Sequence, residues 1–457
     1  METDNAQHAG ARPPASRTRR GLIETAWLLL IMVIATLLFF ARYDDPRRIA
    51  SGDSFWYMRQ ALIFTGVDPE TARLQAAQQV CRDTNRSFRA SKATSRCKLY
   101  TSTGFAPRYV AIFDSRPGYP MFAAPFVATL GLWTGMMAAT LVLALIAAVL
   151  AYLAVWLASG LRLAGVFAAA ILFVLPSGFA MTRMMTESGV LAGYLAVLLG
   201  VTLLSRGRRL GLPLVLVALA WLFLVRSASG MAMALTLLAV GIVASFGRER
   251  RRVGVTIGVV GVLAVAAWQV VSKVLRLPGL NDTIQDFATG HFKRRADVAD
   301  PIGWLVDTNL AFWPELLATE MATLTSAAAF GFAVAVLLLR MRVVAVAWIC
   351  TGLTGVTMVV AHPMISQYDR LMVPLWLPVA CTFGCAAALA IGRPAPAAVA
   401  HPAGESPARQ ATQPVPHQAE RVPRQLGHER GLAAPALRIR LDINRAPWRW
   451  AAARTGG

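Results

Sequence analysis

The chain has 457 residues, of which 56% are hydrophobic and only 15% are charged, and its mean hydropathy is +0.52. This composition excludes an ordinary soluble domain and predicts an integral membrane protein. The formal net charge of +21 does not indicate nucleic-acid binding, because the basic residues lie in the tails and in short connectors between apolar runs. At those positions cationic side chains meet lipid headgroups and fix the topology.

The N-terminal tail, residues 1–21, carries four arginines and precedes the first apolar run, Thr25–Ala41. This run is long enough to cross a bilayer. The residues that follow it, Arg42-Tyr43-Asp44-Asp45-Pro46, offer no small-residue cleavage site of the kind that ends a secretory signal. The pattern therefore predicts an uncleaved signal anchor whose N-terminus is cytoplasmic.

A long loop, at about residues 42–132, is then expected on the extracytoplasmic side. Asp53 lies near its start, between glycine and aromatic residues, at the mouth of the spans where a membrane enzyme could hold a catalytic base. Cys81 and Cys97 lie in the same loop, and an oxidising compartment would allow a disulfide between them. Two unpaired thiols are the alternative.

Three basic connectors determine the number of spans: Arg206–Arg209, Arg248–Arg252 and Arg340–Arg342. The positive-inside rule places all three in the cytoplasm. The apolar region Gly118–Leu161 is long enough for two spans, but two spans there would put all three connectors outside. We therefore interpret Gly118 to about Leu132 as an interfacial or re-entrant helix. Ten spans result, near residues 25–41, 133–159, 164–181, 188–204, 212–227, 230–246, 253–272, 322–339, 343–361 and 371–391.

This topology defines the fold class as an all-α polytopic membrane protein with one transmembrane domain at residues 22–391. A second long extracytoplasmic loop is expected at about residues 273–320, and both termini are expected in the cytoplasm. Residues 392–457 are rich in Pro, Ala, Gln and Arg and are predicted to form a disordered basic tail.

The chain contains none of the sequence motifs that identify common soluble enzymes. It has no phosphate-binding glycine loop with a following Lys-Ser/Thr, no HExxH, no paired CxxC and no GxSxG. Cys381 and Cys385 are spaced for one helix face, but they lie in an apolar span and do not form a convincing metal site. No cofactor is indicated, and a divalent cation is the one metal left open.

Three short patterns resemble the GT-C superfamily of integral membrane glycosyltransferases, which use polyprenyl-phosphate sugars. They are Ser115-Arg116-Pro117-Gly118-Tyr119-Pro120 before an apolar helix, Thr186-Glu187 at the start of a span, and Tyr368-Asp369-Arg370-Leu371-Met372-Val373-Pro374 before a late span. The resemblance covers about residues 22–391 in architecture. The chain departs from the superfamily in lacking a recognisable soluble C-terminal domain, and its second long loop matches no known pattern.

The resemblance implies an inverting sugar transfer at the outer face of a bacterial inner membrane, from a polyprenyl-phosphate donor to a glycan, lipid or protein acceptor. Such a reaction needs a base to take the proton of the acceptor hydroxyl. By resemblance, Asp53 occupies that position. The alternative is that Asp53 caps the N-terminus of the helix that follows it, since Asp, Ser and Gly all favour that role.

The departing lipid phosphate needs cationic partners, and Arg is favoured because its planar fork binds phosphate oxygens in pairs. Arg370 is the first choice because it lies where the chain re-enters the membrane. Arg116, Arg183 and Arg226 are weaker candidates, and a cation that merely snorkels at the end of a span is the alternative for each. Glu187, Asp114 and His362 could orient the acceptor or bind a divalent cation.

Two other classes of function remain open. A transporter or flippase for a lipid-linked or small polar substrate would carry charges at mid-membrane depth and broken helices in repeated halves. A non-catalytic membrane scaffold would tolerate the loss of Asp53. Phe55, Trp56, Tyr57 and Tyr119 could line a sugar groove, but an ordinary interfacial aromatic belt is the default expectation for them.

Overall fold

The computed structural model describes residues 17–43, 52–87, 105–247, 251–293, 296–319, 321–341 and 343–391. These residues belong to one unit of the chain, which ends at Ala395. Most of the predicted N-terminal tail, the C-terminal tail from residue 392 onward, and Cys97 lie outside the described residues. The pairing of Cys81 with Cys97 therefore stays a prediction.

The described part of the chain is helical and contains no strand. Its first nine helices are α1 (Arg17–Tyr43), α2 (Gly52–Phe64), α3 (Pro69–Ser87), α4 (Pro107–Asp114), α5 (Gly118–Leu130), α6 (Leu132–Ser159), α7 (Arg162–Val174), α8 (Pro176–Met181) and α9 (Glu187–Ser205). The next are α10 (Gly211–Val225), α11 (Ser227–Ser245), α12 (Arg251–Val274), α13 (Leu280–Ala288), α14 (Pro301–Thr319), α15 (Met321–Met341), α16 (Val343–Ala361), α17 (Tyr368–Leu371) and, after a 3-10 turn at Val373–Leu375, α18 (Trp376–Ile391).

Seven of the described helices are long and apolar enough to cross a membrane. The number is eight if the bent pair formed by α14 and α15 is counted as one span. Two further apolar helices, α7 and α10, are shorter. The predicted fold class, an all-helical multi-pass membrane protein, is confirmed at this level. The count of ten stays a prediction.

Helix α9 lies at the centre of the bundle and is buried along almost its whole length. It packs against α6 and α10, and its sequence is apolar on every face because neighbours cover every face. Small residues bring these neighbours close. A Cβ added at Gly193 would lie 2.6 Å from a Leu222 methyl carbon, and one at Gly200 would lie 2.6 Å from Val215.

The described parts of the loop before α6 form a small helical layer. Most of α2 is buried, and α2 packs against α3 and α5. Asp68 caps α3, since its Oδ1 accepts hydrogen bonds from the backbone N–H groups of Glu70 and Thr71 at 3.0 and 3.2 Å. Gly131, with φ of +78°, breaks the chain between α5 and α6 so that α5 turns back along α6.

This layer contains the aromatic residues for which a sugar groove or an interfacial belt was expected. Phe55, Trp56, Tyr57 and Tyr119 are instead all buried. The Trp56 ring stacks on Phe113 with a centroid separation of 5.3 Å. These side chains form a common core beside the spans. This core fixes the orientation of α2, and therefore the position of Asp53 in its first turn.

Helices α11 and α12 approach each other closely at several glycines. A Cβ at Gly241 would lie 2.4 Å from the Cα of Gly258, and a Cβ at Gly261 would lie 2.6 Å from the carbonyl oxygen of Ala234. Glycine at such positions lets two helix backbones approach, which is the usual source of van der Waals packing between membrane helices.

We expect Gly241→Ala to lower the stability of the protein by about 1–3 kcal/mol, because the added methyl group must push two backbones apart. Gly331→Ala is the matched control, since a Cβ at Gly331 meets no atom within 4 Å and alanine favours the helix. Thermal unfolding of both variants in lipid nanodiscs measures the difference. Equal unfolding temperatures would show that the α11–α12 contact is looser than the distances indicate.

Candidate functional site

Four charged residues that are far apart in the sequence meet at one end of the bundle. Asp53 lies in the first turn of α2, Glu187 is the first residue of α9, Arg226 separates α10 from α11, and Arg370 lies in α17. Arg370 Nη1 donates a hydrogen bond to Asp53 Oδ2 at 2.7 Å. Arg370 Nε lies 3.1 Å from Glu187 Oε1, and Arg226 Nη2 donates to the same oxygen at 2.9 Å. We call these residues the charge cluster.

Local backbone structure places each member of the cluster. Arg226 has an extended backbone, with φ of −159° and ψ of 102°, so it ends α10 and turns its guanidinium toward Glu187. The backbone N–H of Arg370 is held by the carboxylate of Asp369 at 2.7 Å. A Cβ at Gly355 would lie 3.2 Å from the Met372 backbone, so this glycine lets α16 approach the segment that carries Arg370.

The cluster is buried, which makes pairing of its charges necessary. The exposed side-chain fraction is 2% for Glu187, 11% for both Arg226 and Arg370, and 23% for Asp53. A charge removed from water is costly unless another charge and hydrogen bonds compensate for it. In the cluster, two carboxylates and two guanidinium groups compensate each other's charge. Arg370 pairs with both carboxylates, those of Asp53 and Glu187.

The pairing sets the protonation of its members. Burial raises the pKa of the Asp53 carboxyl, but Arg370, together with Arg116 and Arg226, outweighs burial and holds that pKa below its usual range. Burial acts to lower the pKa of Arg370, whereas Asp53 and Glu187 raise it, and the net shift is upward. Asp53 is therefore ionised and Arg370 protonated at neutral pH.

His362 lies at the edge of the cluster and is neutral at physiological pH. Burial and the nearby Arg370 lower the pKa of its imidazole to about 4, although Asp286 and Asp53 oppose the shift. Its ring packs on Phe287, with ring centroids 4.9 Å apart. This contact brings α13, in the second predicted loop, next to the end of α16.

Arg370 Nε lies 3.1 Å from Glu187 Oε1 but makes no hydrogen bond within the described part of the chain. Three further buried polar atoms, on the side chains of Tyr57, Glu187 and His362, also have no hydrogen-bond partner there. They are the hydroxyl of Tyr57, Oε2 of Glu187 and Nδ1 of His362. Tyr57 lies close enough to Arg370 to act on its charge. Buried polar groups are normally hydrogen-bonded, so three such atoms around one ion-pair cluster indicate a place where a polar ligand or water completes the set.

The described hydrogen bond of the Asp53 carboxylate is the one that it accepts from Arg370. The alternative role of Asp53, a cap of α2, stays a prediction. Asp68 differs, because it makes the two backbone bonds of a helix cap.

The other predicted site residues lie at different positions. Asp114 Oδ1 accepts a hydrogen bond from Gln60 at 2.7 Å and lies 3.4 Å from Arg59 Nη1, so it joins α4 to α2. Arg183 packs over the Phe179 ring at 4.4 Å. Arg116 packs over Phe113 and acts electrostatically on Asp53 without a direct bond to it among the described contacts.

Three contacts of the second loop were not predicted from the sequence. Arg108 in α4 bridges Asp282 at 3.1 Å and Asp297 at 2.8 Å. His291 Nδ1 lies 3.0 Å from Asp286 Oδ1. No motif marks these residues, and the available signal is only that four aspartates lie between positions 282 and 300, within reach of basic residues of the first loop.

The described residues contain no group of three or more His, Cys, Asp and Glu side chains that could hold a metal ion. The two carboxylates of the charge cluster are bridged by an arginine rather than facing each other.

The chain matches no known protein family, no curated protein and no solved structure. The resemblance to the GT-C superfamily therefore stays a prediction from short sequence patterns.

We expect Arg370→Met to lower the free energy of unfolding by roughly 3–5 kcal/mol, because it leaves two buried carboxylates without their shared partner. Arg108→Met is the matched control. It also removes an arginine that pairs with two acids, but its side chain is 46% exposed, so the expected loss is at most about 1 kcal/mol. Unfolding in detergent micelles compares the two. Equal losses would contradict the burial of the cluster.

The lowered pKa of His362 should make the stability of the protein depend on pH. The folded protein keeps His362 neutral down to about pH 4, whereas the unfolded chain takes up a proton near the ordinary value of 6.5. Stability should therefore fall as the pH decreases from 6.5 towards 4, by about 2 kcal/mol between pH 7 and 5. In the His362→Gln variant, the free energy of unfolding should not show this decrease, because glutamine takes up no proton in this pH range. The comparison stops at pH 5 because Asp53 contributes its own loss of stability below its ordinary pKa of 3.8. Parallel curves for the two proteins would show that His362 is solvated.

Proposed function

We propose that this protein is a GT-C-type membrane glycosyltransferase that moves a sugar from a polyprenyl-phosphate donor to an acceptor hydroxyl at the extracytoplasmic face of a bacterial inner membrane. In this proposal the chain crosses the membrane ten times, with α7, α10 and α15 among the spans and both termini inside. The observation that carries the proposal is the direct contact between the candidate base, Asp53, and the candidate phosphate-binding residue, Arg370.

The depth of the cluster supports a substrate with a phosphate at the membrane surface. Glu187 begins a span, Arg226 joins two apolar helices, and Arg370 lies six residues before the start of α18. Lipid phosphates lie at such span ends, whereas a transporter for a polar solute is expected to carry charges at mid-membrane depth. Arg370 and Arg226 supply the planar donors that suit phosphate oxygens.

The pairing of Asp53 with Arg370 also suggests how the base becomes active. While the pair is intact, Asp53 is ionised but weakly basic, because Arg370 stabilises its charge. A donor phosphate competes for the same guanidinium. As Arg370 turns toward the phosphate, burial is left as the main influence on Asp53, and its basicity rises.

The reaction then follows as one displacement. The acceptor oxygen attacks the anomeric carbon while Asp53 takes the proton of that hydroxyl. The bond between the anomeric carbon and the phosphate oxygen breaks, and the lipid phosphate leaves with the electron pair. Arg370 and Arg226 stabilise the negative charge on the leaving phosphate. Tyr57, Glu187 and His362 offer their unpartnered polar atoms to sugar hydroxyl groups.

We expect Asp53→Asn to reduce sugar transfer by a factor on the order of 10²–10⁴, because the amide cannot take the proton. The assay follows labelled sugar from a panel of polyprenyl-phosphate monosaccharides to acceptors in envelope extracts. Asp307→Asn is the control, since Asp307 is an exposed acid on α14 with no hydrogen bond or ion pair to the cluster among the described contacts. Full activity of Asp53→Asn would refute the assignment of the base, and failure of the wild type to use any donor of the panel would refute the reaction.

A further inference from the structure

Helix α14, in the second predicted loop, has three distinct faces. Phe312 and Leu316 are buried against the protein. Apolar side chains on a second face are exposed: Ile302 by 57%, Val306 by 53%, Leu310 by 70% and Leu317 by 45%. The exposed acidic residues of the helix, Asp307 and Glu315, lie on a third face.

Helical geometry separates the centres of these three faces. At about 100° per residue, the centre of the exposed apolar face lies roughly 100° to one side of Phe312 and Leu316. Asp307 and Glu315 lie roughly 120° to the other side by the same count. A helix in water has no reason to separate exposed apolar from exposed acidic side chains, whereas a helix at a boundary between lipid and water requires this separation.

The direction of α14 agrees with such a boundary. The axis of Pro301–Thr319 makes an angle of 97° with that of the apolar segment Leu324–Leu339 that follows it. In the proposed ten-span topology Leu324–Leu339 crosses the membrane, so a helix nearly perpendicular to this segment runs along the membrane plane. If α14 instead entered the hydrocarbon, Asp307 and Glu315 would be exposed to lipid, which is strongly unfavourable.

We propose that α14 lies in the membrane interface, with Val306, Leu310 and Leu317 among the acyl chains and with Asp307 and Glu315 in water. The occupant of the exposed apolar face is therefore lipid. Continuity with the next helix supports lipid over a second protein, since exposed apolar residues continue along α15 at Leu324, Phe332 and Leu339.

The contacts of α14 give this placement a consequence for the charge cluster. Phe312 and Leu316 pack in one cluster with Leu371 and Met372, the two residues that follow Arg370. Asn309 Nδ2 donates to the carbonyl oxygen of Val360 at 2.9 Å. α14 therefore sets the depth of Arg370 at the lipid headgroups. This inference holds whether or not the protein transfers sugars.

Paired substitutions at adjacent residues test the proposal in the otherwise unchanged protein. Leu310→Asp places a carboxylate on the proposed lipid face, and Ala311→Asp places one between Asp307 and Glu315 on the proposed water face. In lipid nanodiscs, we expect Leu310→Asp to lower the unfolding temperature by several degrees and Ala311→Asp to leave it unchanged. Equal effects of the two substitutions would overturn the proposal.

Spin labels identify what covers each face. Single cysteines at Val306, Asp307, Leu310 and Glu315, in a background without the five native cysteines, are labelled with a nitroxide and reconstituted in phosphatidylcholine–phosphatidylglycerol liposomes. Labels at Val306 and Leu310 should be accessible to oxygen and protected from a water-soluble nickel complex, and labels at Asp307 and Glu315 should show the reverse. Access of nickel to all four, or exclusion of both reagents at Val306 and Leu310 as in a protein–protein contact, would refute docking on lipid.

Discussion

The structure depends on the sharing of one buried guanidinium between two carboxylates. Arg370 can lie at this depth only because Asp53 and Glu187 compensate its charge, and Glu187 in turn requires Arg226 or Arg370. Each residue belongs to a different helical segment. The pairing therefore brings together α2, the start of α9, the junction of α10 with α11, and α17, so that four distant parts of the chain end at one place.

The same interaction limits what the site can do at rest. An arginine that keeps Asp53 ionised also makes it a poor proton acceptor. In the proposed reaction, Asp53 becomes more basic when the anionic phosphodiester of the donor draws the arginine away. A phosphate group meets this condition, and a neutral solute does not. The proposed transfer therefore needs an anionic donor, because Asp53 is held as a weak base while Arg370 is paired with it.

Sequence reasoning succeeded where the information is local. Hydrophobic runs predicted spans near 133–159, 188–204 and 343–361, and the corresponding helices cover Leu132–Ser159, Glu187–Ser205 and Val343–Ala361.

The candidate site could be predicted only in part from the sequence. Asp53, Glu187 and Arg370 were named, but their mutual contacts follow from helix packing, which no local pattern encodes. Asp114 and Arg183 carry the same residue types at similar loop positions, yet they pair with Gln60 and Phe179. The aromatic residues of α2 illustrate the same limit. Their sequence pattern is the same whether they are buried against α4 and α5 or form an interfacial belt, and only the packing of the helices distinguishes the two.

The second predicted loop shows how a segment without a motif can still have a definite physical role. Its helix α14 has no residue in the charge cluster, but its buried face packs on the residues that follow Arg370, and its apolar face is directed to lipid. Because α14 packs on the residues that follow Arg370, the depth of α14 in the membrane interface determines the depth of the charge cluster. A buried guanidinium at the level of lipid headgroups can be reached by a phosphate that moves within the bilayer plane, without crossing the hydrocarbon. In the proposed function, the position of α14 in the interface therefore decides whether a lipid-borne phosphate can reach Arg370.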